Sequence, residues 1–145
     1  MNAPHPVARV QAAIQGPTAD LIALTQNSVL LLGEHQAYPG YCVLWSREPV
    51  KELHHLSPAA YLGYLVDLRR ACAAVEAAYS PWKINLAALG NQVQHLHTHI
   101  FPRSADDPQR LSQPWVHEAR FVPGDPAQAA DAVRRLQAAW EEARP

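Results

Sequence analysis

The stretch that decides the interpretation of this chain is Gln94-His95-Leu96-His97-Thr98-His99-Ile100-Phe101. Alternate side chains of a β-strand lie on the same face, so a strand here would place His95, His97 and His99 together on one face. Core packing gives little reason for three imidazoles in a row, because each buried ring carries two nitrogen atoms that need hydrogen-bond partners. The stretch therefore predicts a strand with a functional face.

Other segments on both sides of this stretch also have the pattern of strands. Counting the histidine stretch, five runs are apolar or alternate in polarity: 21–24, 29–32, 41–45, 82–89 and 93–101. Polar residues separate the first two runs, and Pro39-Gly40 and Gly90-Asn91 are turn signals before the third and fifth. A helix across 21–24 is the competing interpretation of the first run.

Two segments instead have helical periodicity. Ser57-Pro58 offers an N-cap and a proline at the first helical position, before apolar residues at helical spacing: Tyr61, Leu65, Leu68, Cys72 and Val75. Pro81 should end this helix. A last helix is expected at about 125–143, with an apolar stripe that should dock on the sheet or on a partner chain: Ala129, Val133, Leu136 and Trp140. This order predicts an α+β fold with a mostly antiparallel sheet and two main helices.

Composition narrows the class of protein. The 145 residues carry a net charge of -1, with 48% hydrophobic and 17% charged residues, which excludes a disordered chain and argues against nucleic-acid binding through a basic surface. One domain over residues 1–145 is expected from the length. With no apolar run near the ~20 residues of a membrane span and no signal-peptide pattern, we expect a cytoplasmic protein. Cys42 and Cys72 lack metal or disulfide spacing and should be buried free thiols.

Three interpretations of the histidines follow from their chemistry. They could be ordinary packed or solvent-facing side chains. They could bind a metal, although the outer two Cα atoms of such a strand are ~13 Å apart, so all three rings cannot readily meet one ion and a pair would need another ligand. They could act on phosphates, since a neutral imidazole that holds one nitrogen as a donor has a nucleophile in the other. In that case the middle histidine is the natural attacking group.

Residues 95–101 resemble the His-x-His-x-His signature of the histidine-triad nucleotide hydrolases and transferases. Flanking residues resemble the bacterial branch of that family, and the likeness spans roughly residues 20–107: Tyr38-Pro39-Gly40-Tyr41, Lys83-Ile84-Asn85, Leu89-Gly90-Asn91 and Pro102-Arg103. The resemblance implies a five-stranded antiparallel sheet with helices, a homodimer and a covalent histidine intermediate. It implies a small-molecule nucleotide partner, and we expect neither a cofactor nor a bound metal.

The resemblance also implies roles for individual residues. His97 corresponds to the nucleophile, and His95 and His99 to groups that orient it and contact the phosphate or the leaving group. Residues implied in substrate binding are Asn85, Asn91 and Gln92 at the phosphates and Glu34 at the ribose. Independently of the resemblance, the charge of Arg103, just beyond the triad, could help neutralise a polyphosphate. Tyr41 stands where many relatives have a fourth histidine, Gln92 replaces a small hydroxyl residue, and Trp115 could stack on a base or plug the site.

The leading hypothesis is an enzyme that cleaves at the α-phosphate of a nucleoside polyphosphate, a dinucleoside polyphosphate or a nucleoside phosphoramidate. The alternative hypothesis is a nucleotide-binding adaptor protein with slow or no turnover. If His97 attacks, the rate should rise from about pH 5 toward pH 7, around the ordinary histidine pKa of ~6.5. A His99 that donates a proton to the leaving group would add a falling limb at higher pH.

Overall fold

A five-stranded antiparallel sheet is the centre of the structure. In a computed structural model that describes residues 5–116 and 124–144, the strands are β1 (Leu21–Leu24), β2 (Ser28–Leu32), β3 (Cys42–Ser46), β4 (Lys83–Ala87) and β5 (His97–Arg103). Their order across the sheet is β1-β2-β3-β5-β4. All four neighbouring pairs are antiparallel. The α+β class and the predicted sheet are confirmed, and 21–24 is a strand rather than a helix.

Three helices accompany the sheet in the described residues: α1 (Pro6–Gln15), α2 (Pro58–Tyr79) and α3 (Pro126–Glu142). The two predicted helices begin where expected, because the side chains of Ser57 and Asp125 accept hydrogen bonds from backbone N–H groups of the first turn. The prediction of two main helices missed α1. No helix in the described ranges is long and apolar enough to cross a membrane.

The histidine strand is shorter than predicted. Residues 93–96 lie outside β5, which begins at His97. Leu96 is held instead by loop contacts, because its N–H donates to the Val50 carbonyl at 2.7 Å and its carbonyl accepts from Ser46 N–H at 3.0 Å. His95 therefore precedes the strand, although the backbone there remains fixed by hydrogen bonds.

The buried face of α2 differs from the predicted stripe, since Leu65 is exposed and Tyr64 and Asp67 are buried. Both polar side chains have partners inside the protein. The Tyr64 hydroxyl lies 2.8 Å from the Thr98 hydroxyl, and Thr25 donates to the Asp67 carboxylate at 2.6 Å. Hydrogen bonds from distant elements thus allow polar groups on a buried helix face.

The sheet separates two apolar clusters. On one side α2 and α3 pack on the strands, and the α3 stripe is covered there: Val133, Leu136 and Trp140 are buried, and Ala129 is partly buried. The stripe therefore serves this chain's own core and gives no reason to expect a dimer through α3. On the other side lies α1, whose Val10 and Ala13 join Val29, Leu31 and the aromatic residues near the histidines. Both thiols are unbridged, Cys42 being buried and Cys72 half-buried.

Arg103, which was expected to contact a polyphosphate, lies at the end of β5 and is 0% exposed, so its side chain is not open to a ligand in this structure. Its five N–H donors are all used by protein acceptors: the Asp107 carboxylate twice, Asn85 Oδ1, and the carbonyls of Gln109 and Ser112. The guanidinium therefore fixes the loop after β5 onto the sheet. This role is structural.

We expect Arg103→Met to lower the free energy of unfolding by about 3–5 kcal/mol, because it removes the positive partner of the nearly buried Asp107 carboxylate and a donor to the Gln109 and Ser112 carbonyls. The matched control is Arg134→Met, which removes an exposed ion pair with Asp131 and should change stability by less than ~1 kcal/mol. Urea denaturation of both variants measures the difference. Equal, small losses in the two variants would contradict the structural role of Arg103.

Candidate active site

His97 and His99 line a cavity of about 710 Å³ on the α1 side of the sheet. They reach it together because alternate residues of β5 share a face, as the sequence predicted. His95 does not line the cavity. Its buried ring donates from Nε2 to the Ser46 carbonyl at 2.7 Å, since a carbonyl can only accept. His95 therefore ties the segment before β5 to the end of β3.

The orientation of His97 is set by its own strand. Its Nδ1 donates to the His95 carbonyl at 2.6 Å, so in the neutral ring Nδ1 keeps the proton and Nε2 carries the lone pair. The ring stacks on Trp45, its partner across the β3–β5 pair, with centroids 4.3 Å apart. Burial lowers the pKa of His97, against the opposing effect of the hydrogen bond to His95. His97 is thus a neutral imidazole at pH 7 with Nε2 available.

His99 has a different partner, the hydroxyl of Tyr41, which lies 2.7 Å from Nδ1. Burial lowers the pKa of His99 to about 4, with further lowering by the charges of His97 and His35. The ring of Trp115 meets His99 edge-on, with centroids 5.5 Å apart. His99 is therefore also neutral at pH 7, inside an aromatic wall.

Arg9, a charged residue of α1, lies at the opening of the cavity. Arg9 donates to Glu34 Oε1 at 2.8 Å and to Asp20 Oδ2 at 2.7 Å, and both Arg9 and Glu34 line the cavity. Sequence reasoning missed Arg9 because it assigned no structure to residues 6–15. The signals for a helix were Pro6 after His5 and the apolar pair Val10 and Ala13 at i, i+3.

The other predicted binding residues fall into two groups. Asn91 and Gln92 line the cavity, and they follow Gly90, whose φ of +69° makes the turn between β4 and β5. Asn85 does not line it, and its side-chain oxygen accepts from Arg103 at 2.9 Å. In the ranges 5–116 and 124–144 no group of three His, Cys, Asp or Glu side chains is placed to hold a metal ion.

One family model and several solved structures are similar to this chain. The sequence model of the HIT domain matches residues 17–106. A histidine triad protein from Marinobacter aquaeolei VT8 is similar in structure, with a TM-score of 0.78 and 24% identity over 99% of each chain. A histidine triad protein from Sinorhizobium meliloti 1021 has a TM-score of 0.73 and 24% identity, over 81% of this chain and 87% of its own.

A third similar structure is the diadenosine triphosphate hydrolase of Plasmodium falciparum, in complex with cyclomarin A. It has a TM-score of 0.63 and 16% identity, over 87% of this chain and 79% of its own. At these identities the structural likenesses show a common fold. No curated protein matches this chain by sequence.

Proposed function

This chain belongs to the HIT domain family, whose sequence model matches residues 17–106, and on that premise we propose that it is a nucleotide hydrolase or transferase. The bond cleaved is at the α-phosphate of a nucleoside polyphosphate, a dinucleoside polyphosphate or a nucleoside phosphoramidate. The observation that carries the proposal is the 2.6 Å hydrogen bond from His97 Nδ1 to the His95 carbonyl, because it leaves Nε2 as a nucleophile beside the cavity.

The reaction has two displacements at phosphorus. His97 Nε2 forms a bond to the α-phosphorus while the bond to the leaving group breaks, and the leaving group departs with that electron pair. The nucleotidyl-imidazolium keeps its proton on Nδ1, and that N–H group still donates its hydrogen bond to the His95 carbonyl. Water then forms a P–O bond, the P–N electron pair returns to Nε2, and a mononucleotide and a proton are released. The carbonyl stabilises the positive ring in between.

The cavity supplies groups for the rest of a nucleotide. His99 is placed beside His97, with ring centroids 4.9 Å apart, and can contact an oxygen of the phosphate or of the leaving group. We assign the amides of Asn91 and Gln92 to the phosphates and Glu34, held by Arg9, to the ribose hydroxyls. Trp115 is available to stack on the base. A volume of about 710 Å³ is within the usual range for small-molecule sites.

We also propose a homodimer, formed by an apolar surface of α2 and the edge strand β4. Leu65, Leu68 and Leu86 line one shallow groove of about 260 Å³ there, and Leu86 is 49% exposed. β4 lies at the end of the sheet order, so one side of its backbone is open for pairing in the described structure. A second copy related by a two-fold axis would pair with β4 and cover the groove with the same residues.

We predict that His97→Ala lowers turnover on the order of a thousandfold or more, because the attacking atom is lost, while binding of AMP persists. The substrates are adenosine phosphoramidate, diadenosine polyphosphates and their guanosine analogues. Rapid acid-free quenching with α-labelled substrate should trap an acid-labile nucleotidyl adduct on the parent protein and none on His97→Ala. The matched control, His54→Ala, changes an exposed histidine and should behave as the parent.

Parental turnover by His97→Ala would refute the nucleophile assignment. Turnover by the parent protein without any adduct would favour attack by water with His97 as a base. A parent protein that binds these nucleotides and turns over none of them would be the adaptor of the alternative hypothesis.

The rising limb of kcat/KM with pH should lie below pH 6.5, because burial lowers the pKa of His97 and the neutral ring must attack. His99 is already neutral above about pH 4, so the falling limb expected from a protonated His99 should be absent and the profile should be flat near pH 7. Diadenosine triphosphate is the substrate of choice, since its phosphates do not titrate in this range. A midpoint above pH 6.5 would contradict the assignment.

For the dimer, sedimentation should give a species of twice the 16.0 kDa chain mass at micromolar concentration. Leu86→Lys should shift it to the monomer, because a charge replaces an apolar contact at the centre of the surface. Leu111→Lys is the control, since Leu111 is 85% exposed on the loop after β5. A parent protein that sediments as a monomer, or a Leu86→Lys variant that stays dimeric, would overturn this interface.

A further inference from the structure

Tyr41 lines the cavity beside His99. Within the described residues its hydroxyl makes one hydrogen bond, to His99 Nδ1 at 2.7 Å. We propose that Tyr41 is a positioning residue, which donates to Nδ1 and so holds His99 with its Nε2–H directed as a neutral donor to the leaving-group oxygen. The inference rests on the proposed function, because it names the way in which His99 assists the attack of His97.

The phenol ring of Tyr41 is fixed from several sides. It stacks on Phe101 with centroids 4.5 Å apart and planes 5° apart, and on His35 at 4.7 Å. A Cβ atom at Gly33 would lie 2.1 Å from Tyr41 Cδ1, so the ring packs where only glycine leaves room. The Tyr41 carbonyl accepts from Gly33 N–H and from the Gln36 side chain, both at 2.9 Å. The hydroxyl therefore has a defined position.

The direction of the hydrogen bond follows from the available protons. Burial raises the pKa of Tyr41 well above its ordinary value, with smaller increases from Cys42 and Glu34, so the phenol keeps its proton. Among the described residues His99 Nδ1 is the one hydrogen-bond partner of that hydroxyl, so the phenol proton is used within the protein only if it points at Nδ1. A phenol that donates to Nδ1 requires a lone pair there, and the proton of the neutral imidazole must then lie on Nε2.

A neutral donor suits this cavity. As the bond to the leaving group breaks, negative charge grows on the leaving oxygen, and a fixed N–H group inside an aromatic wall stabilises it more than water does. When the leaving atom is the oxygen of a phosphate or a phenol, no proton transfer from His99 is needed, since the leaving group departs as its anion. The stabilisation is largest for leaving groups of high pKa, which develop the most negative charge.

The test uses the full-length protein and two esters of AMP, the phenyl ester and the 4-nitrophenyl ester. Tyr41→Phe should lower kcat on the order of tenfold for the phenyl ester and about twofold or less for the 4-nitrophenyl ester, whose leaving group needs little help. Tyr38→Phe is the matched control, because its hydroxyl donates to the Pro114 carbonyl and it loses a buried hydrogen bond away from His99. It should change both rates by the same factor.

A second measurement reports which nitrogen of the His99 ring carries the proton. Two-dimensional 15N–1H spectra of the histidine side chains should show His99 as one Nε2–H tautomer in the parent protein, and mixed or altered in Tyr41→Phe. Equal losses on the two esters in Tyr41→Phe, or an Nδ1–H tautomer of His99 in the parent, would overturn the positioning role. A parent protein that cleaves neither ester, nor any nucleotide of the panel, would instead refute the proposed function.

Discussion

The hydrogen bond from His97 Nδ1 to the His95 carbonyl, 2.6 Å long, is the constraint on which the site depends. It joins two residues of one segment, so the backbone of the chain itself decides which nitrogen of His97 carries the proton. The bond persists only if the backbone at His95 is held in place. Two contacts hold it there. The His95 ring donates to the Ser46 carbonyl, and the β3–β5 pairing places Trp45 opposite His97. The tautomer that the proposed reaction needs thus follows from the backbone geometry of this segment.

Burial imposes the second constraint, that the histidines at the cavity are neutral. Aromatic rings surround them, with Trp45 against His97 and Trp115 and Tyr41 against His99. Desolvation disfavours the imidazolium form of both rings, so each ring keeps one N–H group and one lone pair. The charged residues Arg9 and Glu34 line the same cavity and are paired with each other, and the Glu34 side chain is still 58% exposed.

The sequence predicted most of the features that depend on residue periodicity and on local helix and turn signals. The alternation of residues 95–101 placed His97 and His99 on one face, and Ser57-Pro58 and Asp125-Pro126 marked two helix starts, as the structure confirms. What it could not predict depends on partners distant in sequence. The burial of Arg103 needs four acceptors, three of them supplied by the loop that follows it, and no periodicity records them. The pairing of Tyr41 with His99 spans 58 residues. Helix α1 was missed because its buried face has only two residues.

The most direct test of the account is the protonation state of His97 itself, measured by 15N–1H correlation spectra of the imidazole nitrogens in the ligand-free protein across pH 4 to pH 8. The account predicts one tautomer near pH 7, with the proton on Nδ1 and none on Nε2, and a titration midpoint below the ordinary ~6.5. A proton on Nε2 near pH 7 would contradict it, because His97 would then lack a free nucleophilic Nε2. A midpoint above 6.5 would contradict it as well, because burial would then not lower the pKa of the ring.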